Sequence, residues 1–410
     1  MQIAVRIILF VVLLFLSEFY FTRKTLKSIR AVCPKFPPDK LKLIRNIALA
    51  FFNLYPLFVI IIWIYQAAAV PINFYFPEGK IIDYLLIYPF WTFIIAAVQS
   101  ALFFLILDTI KLLLLPLYKK FKDKIIHTEA VLVLFILSFF TIYVPIRMCY
   151  DYNTIDVRVT KYYKEGIPDV LKNLKIILIS DIHADRYTDS ERITKFVNKI
   201  NAEKPDIVFI GGDFISSTPV YIDTAAKYLG KINSKYGIYS CVGDHDNWAY
   251  RNDNTRSRRE IKAALAKQNI FMYDNEQRIL MIDTAKIGVT FVTNTYSKRI
   301  TRKGIDTLAS KAADSYNLKM MLIHQPRQFV VDEAIKNNYD LLLAAHTHGG
   351  QITFFFPFIN LTPTLIETKY VKGDFWFGKM LMVVNRGLGM SIAPVRYNST
   401  PEITVIIVKN

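Results

Sequence analysis

Two histidines, two residues apart, follow an apolar run near the end of the chain. The run Leu341–Ala344 is followed by Ala345, His346, Thr347 and His348, and then by two glycines. Imidazole is the commonest metal ligand in proteins. Paired glycines permit a sharp turn that would bring both rings into one cleft. Alone, this motif more often ends a strand than binds a metal, so its interpretation depends on the rest of the chain.

Other polar residues that suit a metal also follow apolar runs. They are Asp181 and His183 after 175–180, Asp213 after 206–210, Asp244, His245 and Asp246 after 237–242, and His324 after 320–323. Five of the six histidines lie in these motifs, and the sixth, His127, lies in a basic stretch. Oxygen and imidazole donors without cysteine suit Mn, Fe, Zn or Mg-like ions, and this set is large enough for two metals that share one carboxylate.

The second part of the chain, residues 151–410, has the pattern of an α/β domain. Apolar runs predict strands at 175–180, 206–210, 237–242, 287–292, 319–323, 340–344, 380–384 and 402–408. Helical patterns at 188–200, 220–232 and 259–268 alternate with the first of these strands. Such alternation predicts a sheet with helices on both faces, where ligands bind at the carboxyl ends of the strands.

The first part, residues 1–150, has the pattern of a membrane region. Of all residues 53% are hydrophobic, and long apolar runs predict spans at 4–21, 47–70, 84–107 and 130–146. The net charge of +17 would suggest nucleic acid in a soluble protein. Here the excess is explained by short basic segments between the spans, and we expect no nucleic-acid partner. The three cysteines form no C-x-x-C motif, so neither a disulfide framework nor a zinc ribbon is predicted.

The basic segments also predict the orientation. Lys and Arg mark the cytoplasmic side of a membrane protein. They are dense in two of the loops, at Arg23, Lys24, Lys27, Arg30, Lys35, Lys40, Lys42 and Arg45, and at Lys111, Lys119, Lys120, Lys122 and Lys124. The loop between them has only Lys80. The rule therefore predicts an extracytoplasmic C-terminal domain.

The ordered motifs resemble the calcineurin-like metallophosphoesterases, which carry D-x-H, G-D, G-N-H-D, a lone H and G-H-x-H in this order. The resemblance covers about residues 155–408, and the tail with Asn385–Gly389 and Pro394–Arg396 is similar to the membrane-associated branch. That branch includes transmembrane proteins with a metallophosphoesterase domain and a UDP-diacylglucosamine diphosphatase of lipid A biosynthesis. The resemblance implies a layered α/β domain of mixed sheets and two divalent metals, Mn, Fe or Zn.

The resemblance also implies a role for each motif residue. Asp181, His183 and His348 would hold the first metal, Asp213 would bridge, and Asp244, His324 and His346 would hold the second. His245 would stabilise the phosphoryl oxygens or protonate the leaving oxygen, and Asp246 would orient it. Two residues depart from the family pattern, Asp244 for Asn and Ala345 for Gly. The added carboxylate of Asp244 predicts tighter metal binding, a less acidic water between the ions and an activity maximum at higher pH. Ala345 is expected to cost little stability unless its φ is positive.

The membrane anchor favours a lipid-linked phosphate ester, and the resemblance implies UDP-diacylglucosamine as the specific candidate. The cytoplasmic synthesis of that lipid conflicts with the predicted orientation. Either the domain is cytoplasmic, or the substrate is another lipid such as a phospholipid or a polyprenyl diphosphate. The segment 354–358, with Trp376 and Phe377, would be either an apolar lip for acyl chains or a packed strand and turn. Arg386 and Arg396 would either bind phosphate or form surface salt bridges. The competing interpretations are a non-hydrolytic metal-binding receptor or scaffold, which needs no His245–Asp246 pair, and a nucleic-acid phosphodiesterase.

Overall fold

The computed structural model describes residues 2–67, 79–250, 253–310 and 316–410. The chain divides into two compact units. One consists of Met1–Cys149 with Phe354–Leu361, and the other of Tyr150–Thr353 with Thr362–Asn410. A short segment from the second half of the sequence therefore belongs to the N-terminal unit.

The N-terminal unit is helical. Its helices are α1 (Gln2–Val32), α2 (Pro38–Ala67), α3 (Lys80–Ile82), α4 (Tyr88–Leu113) and α5 (Leu115–Asn153), and a π-helical turn, Asp83–Ile87, joins α3 to α4. Within the described residues, three helical segments are long and apolar enough to cross a membrane: Pro38–Phe58, Lys80–Leu113 and Lys120–Asn153. They overlap the second, third and fourth predicted spans, although the first of them covers only residues 47–58 of the predicted 47–70, and residues 68–70 lie outside the described ranges. The first predicted span lies on α1, which is not among the three, and stays a prediction.

The segment taken from the second half is a hairpin of β10 (Phe354–Phe356) and β11 (Ile359–Leu361). Phe355 packs against Phe103 and Phe140, with ring centroids 5.5 Å and 5.7 Å away. The buried side-chain amide of Gln99 donates to the Phe355 carbonyl at 2.8 Å and accepts from the Phe355 N–H at 3.2 Å. An unpaired amide in an apolar helix would be costly, so this reciprocal pair explains how α4 tolerates Gln99.

The second unit contains two six-stranded mixed sheets. The first has the order β1-β14-β2-β3-β4-β5 and the second β12-β13-β9-β8-β7-β6. The strands are β1 (Asp156–Tyr163), β2 (Lys175–Ile179), β3 (Ile207–Ile210), β4 (Ile238–Cys241), β5 (Ile270–Tyr273), β6 (Glu276–Ile282), β7 (Ala285–Val292), β8 (Leu318–Ile323), β9 (Leu341–Ala344), β12 (Gly373–Phe377), β13 (Met380–Val384) and β14 (Glu402–Lys409).

Helices cover the outer face of each sheet. Helices α6 (Ser190–Ala202), α7 (Ile222–Leu229) and α8 (Asn254–Ala266) pack on the first sheet, and α9 (Arg302–Ser310) and α10 (Gln328–Lys336) pack on the second. The inner faces meet in a shared apolar core that includes Leu178, Phe209, Leu322 and Leu343. This four-layer arrangement confirms the predicted α/β class with mixed sheets flanked by helices.

All eight predicted strands are present, and the four missed strands of the main sheets, β1, β5, β6 and β12, are all edge strands. A central strand is buried on both faces and reads as a continuous apolar run. An edge strand has less to bury, as the partly exposed patterns of β1, β6 and β12 show. The predicted helix at 220–232 is shorter in the structure, and α8 begins earlier, because the Asp253 side chain caps it by accepting from the Arg256 N–H.

Candidate metal centre

The predicted metal ligands lie at the carboxyl ends of strands from both sheets. Asp181 and His183 follow β2, Asp213 follows β3 and Asp244 follows β4, three neighbouring strands of the first sheet. His324 follows β8, and His346 and His348 follow β9, which are neighbours in the second sheet. Stacking the two sheets with these ends at one edge brings together residues that are far apart in sequence.

The ligands form two groups joined by one carboxylate. Candidate ligand atoms of Asp181, His183 and His348 lie within 4.8 Å of one another, as do those of Asp244, His324 and His346. Asp213 Oδ2 is 3.4 Å from His183 Nε2 in the first group and 3.3 Å from His324 Nε2 in the second. One carboxylate oxygen thus faces both groups, as a bridging ligand must.

Two observations show that these residues fit a pair of cations. Asp181 is fully buried, and its Oδ1 has no hydrogen-bond partner among the described residues, with His348 Nε2 at 3.6 Å. Burying a carboxylate oxygen without a partner is costly, and a cation would remove that cost. The donors are also all carboxylate oxygens or imidazole nitrogens, the set preferred by Mn, Fe or Zn.

Each of two histidines in the second group, His324 and His346, makes an outer hydrogen bond that decides which of its ring nitrogens faces the carboxylates. His324 Nδ1 lies 2.7 Å from the Gly211 carbonyl, so it carries the proton and leaves Nε2 towards the carboxylates. His346 Nε2 lies 3.1 Å from Glu367 Oε2, which leaves Nδ1 facing Asp244 Oδ2 at 3.1 Å. The arrangement is that of metal-ligating histidines fixed by outer hydrogen bonds.

Four further residues support the second group and were missed by sequence reasoning. Gln325 Nε2 donates to Asp244 Oδ2 at 2.6 Å, and the Tyr296 N–H donates to Asp244 Oδ1 at 2.7 Å. Arg327 donates to Gln325 Oε1 at 3.0 Å and to Glu367 Oε2 at 3.1 Å. The available signal was the position of Gln325 and Arg327 directly after His324, whereas Glu367 and Tyr296 arrive from distant loops.

The two groups differ in charge when no cation is bound. Burial alone would lower the pKa of His324, but the carboxylates of Asp213 and Asp244 raise it well above the usual range. Burial likewise opposes protonation of His346, yet Asp244 and Glu367 raise its pKa to about 9. In the first group, burial lowers the pKa of His183 well below its usual range, and the neighbouring imidazoles lower it further.

Most ligands have a strained backbone. The φ angles are 50° at Asp181, 46° at His183, 59° at Asp213, 71° at His346 and 51° at His348. Non-glycine residues rarely adopt this left-handed region, and clusters of such strain mark functional sites. Ala345 is not among the described residues with positive φ, so the replacement of the family's glycine there introduces no such strain.

His245 and Asp246 follow β4 but do not contact each other as expected. Asp246 is buried and accepts from the main-chain N–H groups of Asp213, Phe214 and Gly243 at 3.0, 2.9 and 2.8 Å. Burial, with the nearby charge of Asp213, raises the pKa of Asp246 to about 6. The expectation that Asp246 orients His245 is therefore wrong. The two residues are adjacent on a 3₁₀ turn, and adjacent residues of a helix do not face each other.

The Ser216 carbonyl orients His245 instead, through a short contact with its Nδ1. His245 Nε2 lies 3.3 Å from Ser391 Oγ, and the His245 ring packs edge-on against His183 with centroids 4.5 Å apart. The half-buried His245 is thus held beside the first ligand group with Nε2 directed away from its anchor.

Arg386 and Arg396 differ in their availability to a substrate. Arg386 forms ion pairs with Glu402 at 2.6 Å and Asp156 at 3.0 Å, and its binding of phosphate stays a prediction. Arg396 is only 1% exposed and donates to the carbonyls of Gly389, Ser399 and His348. The prediction of phosphate binding is wrong for Arg396, because these carbonyls occupy its guanidinium group. Arg396 instead fixes the main chain at the candidate ligand His348.

Stacked mixed sheets with two Asp/His groups at their carboxyl ends define a class, the metal-dependent phosphoesterases. The family profile described as calcineurin-like phosphoesterase matches residues 174–350. An uncharacterised metallophosphoesterase of Campylobacter jejuni is 30% identical over 318 residues, which cover 75% of this chain and 78% of that protein. This protein belongs to the calcineurin-like phosphoesterase family. It is a metal-dependent phosphoesterase, and its family uses two metal ions.

Two further relatives extend the comparison. An uncharacterised metallophosphoesterase of Bacillus subtilis is 30% identical over 250 residues, which cover 60% of this chain and 82% of that protein. A transmembrane protein with metallophosphoesterase domain from Danio rerio is 24% identical over 289 residues, which cover 68% of this chain and 63% of that protein. Together with the three apolar helical segments, the latter similarity supports a membrane protein of the membrane-bound branch.

Proposed function

We propose that this protein hydrolyses a phosphodiester or diphosphate bond in a lipid-linked substrate. The observation that carries the proposal is the β10–β11 hairpin. The chain leaves the metal ligand His348 and, six residues later at Phe354, enters the helical unit that contains the candidate spans. This short connection between a candidate metal ligand and the membrane unit supports a substrate held in a bilayer over a soluble one.

Within this proposal, the two ligand groups have the roles that the resemblance implied. Asp181, His183 and His348 would hold one metal, Asp244, His324 and His346 the other, and Asp213 would bridge them. A bound pair of divalent ions supplies an activated water and a clamp for the phosphoryl oxygens. The outer contacts from Gln325, Arg327 and Glu367 keep the second group aligned before any metal arrives.

His245 would act on the substrate itself. Its Nδ1 is occupied by the Ser216 carbonyl, so Nε2 carries a proton only when the ring is an imidazolium. In that form Nε2 donates to a phosphoryl oxygen, or transfers its proton to the leaving oxygen as the phosphorus–oxygen bond breaks. Asp246 would act indirectly, because its contacts with the main-chain N–H groups of Asp213 and Phe214 hold the turn that carries Asp213.

The specific candidate is UDP-diacylglucosamine, a lipid-linked diphosphate whose hydrolysis gives a lipid monophosphate and UMP. The basic loops favour an extracytoplasmic catalytic domain, and this orientation would instead require an exported lipid phosphodiester or diphosphate. Both substrates need the same chemistry at phosphorus, so the turnover assay also bears on the orientation.

The test is turnover by the full-length protein, purified in detergent and loaded with Mn. The substrates are a bis-aryl phosphodiester, an aryl phosphomonoester and UDP-diacylglucosamine. His245→Ala should lower turnover, while the matched control His127→Ala, an exposed histidine of the helical unit, should not.

Cleavage of the nucleotide lipid would establish the diphosphatase and reverse the proposed orientation. Diester cleavage without it would direct the search to exported lipids. Turnover restricted to the monoester, or equal loss in both variants, would contradict the proposal.

A further inference from the structure

A cluster of charged side chains lies at one end of the helical unit, where the apolar stretches of α4 and α5 stop. Lys24 on α1 contacts both Asp108 on α4 and Glu129 on α5. Glu129 also pairs with Lys111 at 2.6 Å, and the Tyr20 hydroxyl donates to Asp108 at 2.5 Å. Two carboxylates are thus balanced by two ammonium groups, and the cluster ties three helices together.

Two further basic residues line the cavity over this cluster. The cavity has a volume of about 280 Å³, and its lining includes Arg23, Lys27 and Ser28 in addition to the paired residues. Arg23 and Lys27 are exposed, and within the described ranges neither forms an ion pair. Four basic and two acidic side chains line the cavity, so two of its positive charges have no acidic partner among the residues that the structure describes.

An apolar cavity adjoins the charged one. Its volume is about 390 Å³, and its lining includes Leu107, Leu114, Phe121 and Leu132. The two cavities share Lys111 and Glu129. The backbone of Phe121 is not helical, with φ −126° and ψ 26°, so α5 is interrupted where this apolar cavity is formed.

We propose that the two adjoining cavities bind one anionic phospholipid, with its phosphate at Arg23 and Lys27 and the start of an acyl chain against Leu114 and Leu132. Basic pockets between membrane helices recognise anionic headgroups. Free phosphate would match the charged cavity alone, whereas a lipid matches a basic cavity that shares lining residues with a largely apolar one. This lipid site is built from the helical unit, and it does not depend on the proposed substrate.

The experiment measures phospholipid retained by the full-length protein by native mass spectrometry after extraction from bilayers. The bilayers contain either phosphatidylcholine alone or equal parts of phosphatidylcholine and phosphatidylglycerol. The test variant is Arg23→Gln with Lys27→Gln, and the matched control is Arg30→Gln with Lys35→Gln. Both remove two exposed positive charges from the same basic segment, but Arg30 and Lys35 do not line either cavity.

We expect the wild type to retain phosphatidylglycerol in preference to phosphatidylcholine. The test variant should lose affinity by about fivefold for each basic residue removed, while the control variant should retain the lipid like the wild type. Leu132→Trp, which fills the apolar cavity without changing charge, should also reduce retention. Aryl diester turnover should be unchanged in all variants, which separates this result from the proposed catalytic function.

Three outcomes would overturn the lipid site. The first is equal retention of the two lipids by the wild type, and the second is equal loss in the test and control variants. The third is a rise in the unfolding temperature with inorganic phosphate that matches the rise with phosphatidylglycerol, since this would indicate binding of the free anion. Leu132→Trp keeps the lipid site testable if the doubly substituted variant does not fold.

Discussion

Asp244→Asn is the substitution whose effect the structure specifies most fully. The two carboxylate oxygens of Asp244 have different donors. Oδ1 accepts from the main-chain N–H of Tyr296 at 2.7 Å, while Oδ2 accepts from Gln325 at 2.6 Å and faces His346 at 3.1 Å. Asparagine has only one acceptor oxygen. If that oxygen faces the second metal position, the new NH₂ group opposes the Tyr296 N–H, which cannot rotate away.

The magnitude follows from this mismatch and from the lost charge. A buried donor left without a partner costs about 1–3 kcal/mol. If the whole of this cost opposes metal binding at the second position, the affinity for the metal falls by about 5- to 150-fold. At an effective dielectric constant of about 20, removing a unit charge within about 6–10 Å of a water held between the two metal positions would lower the pKa of that water by about one to two units. The acidic limb of the pH–rate profile should therefore move to lower pH, by up to about two units.

The assay compares wild type and Asp244→Asn in two ways: calorimetric titration of the metal-free protein with Mn, and pH–rate profiles on the bis-aryl diester. Asp189→Asn is the matched control. Asp189 caps α6 by accepting from the Arg192 N–H at 3.0 Å, and asparagine caps equally well. An Asp244→Asn protein with wild-type Mn affinity and an unshifted profile would refute the reasoning, including the expectation that Asp244 raises the optimum pH.

Three further predictions test other parts of the structure. The metal-free pKa of about 9 at His346 means that a proton must leave before this nitrogen binds a metal. Since the pKa of His324 in the same group is raised as well, two protons must leave, and Mn affinity should rise by more than about tenfold per pH unit between pH 7 and pH 9. Calorimetry showing a pH-independent affinity would contradict this. In Gly243→Ala the added Cβ would lie 2.2 Å from Asp213 Oδ1, so we expect turnover of the aryl diester to fall about 100-fold; a wild-type rate would show that Asp213 is free to move. In intact cells an impermeant maleimide should label a cysteine introduced at the exposed Lys161 of β1 but not the exposed Cys33 of the basic loop, as single-cysteine variants would show. The reverse pattern would place the catalytic domain in the cytoplasm.

Central strands were predictable because burial on both faces leaves a distinct apolar run. The runs at β2, β8 and β9 identify their strands, and each is followed at once by metal-binding residue types. Edge strands β1 and β12 carry no such signal, because their side chains are partly exposed. The hairpin at Phe354–Leu361 was ambiguous for a different reason, since its apolar residues suit either unit and only packing against α4 and α5 decides between them.

The candidate ligands were predictable from residue type, order and position after strands. The local sequence around His245 and Asp246 was misleading, because adjacency in the chain suggested a contact that the 3₁₀ turn prevents. Arg396 was misread for a similar reason, since a charged residue near a site looks available until its carbonyl partners are known. Glu367 lies in no recognisable motif, and its contact with His346 depends on the loop that follows the Phe354–Leu361 hairpin.

The sequence by itself determined the class of this protein. Its apolar runs specify buried strands of an α/β domain, the residues that follow them specify the ligand chemistry, and the apolar stretches of the first 150 residues specify a membrane region. Tertiary structure decided which residues that are far apart in the sequence come into contact. Asp213 serves both ligand groups only because two sheets stack with their carboxyl ends together. Likewise, Gln325, Arg327 and Glu367 support the second group only because separate loops converge on it, and no local pattern encodes such convergence.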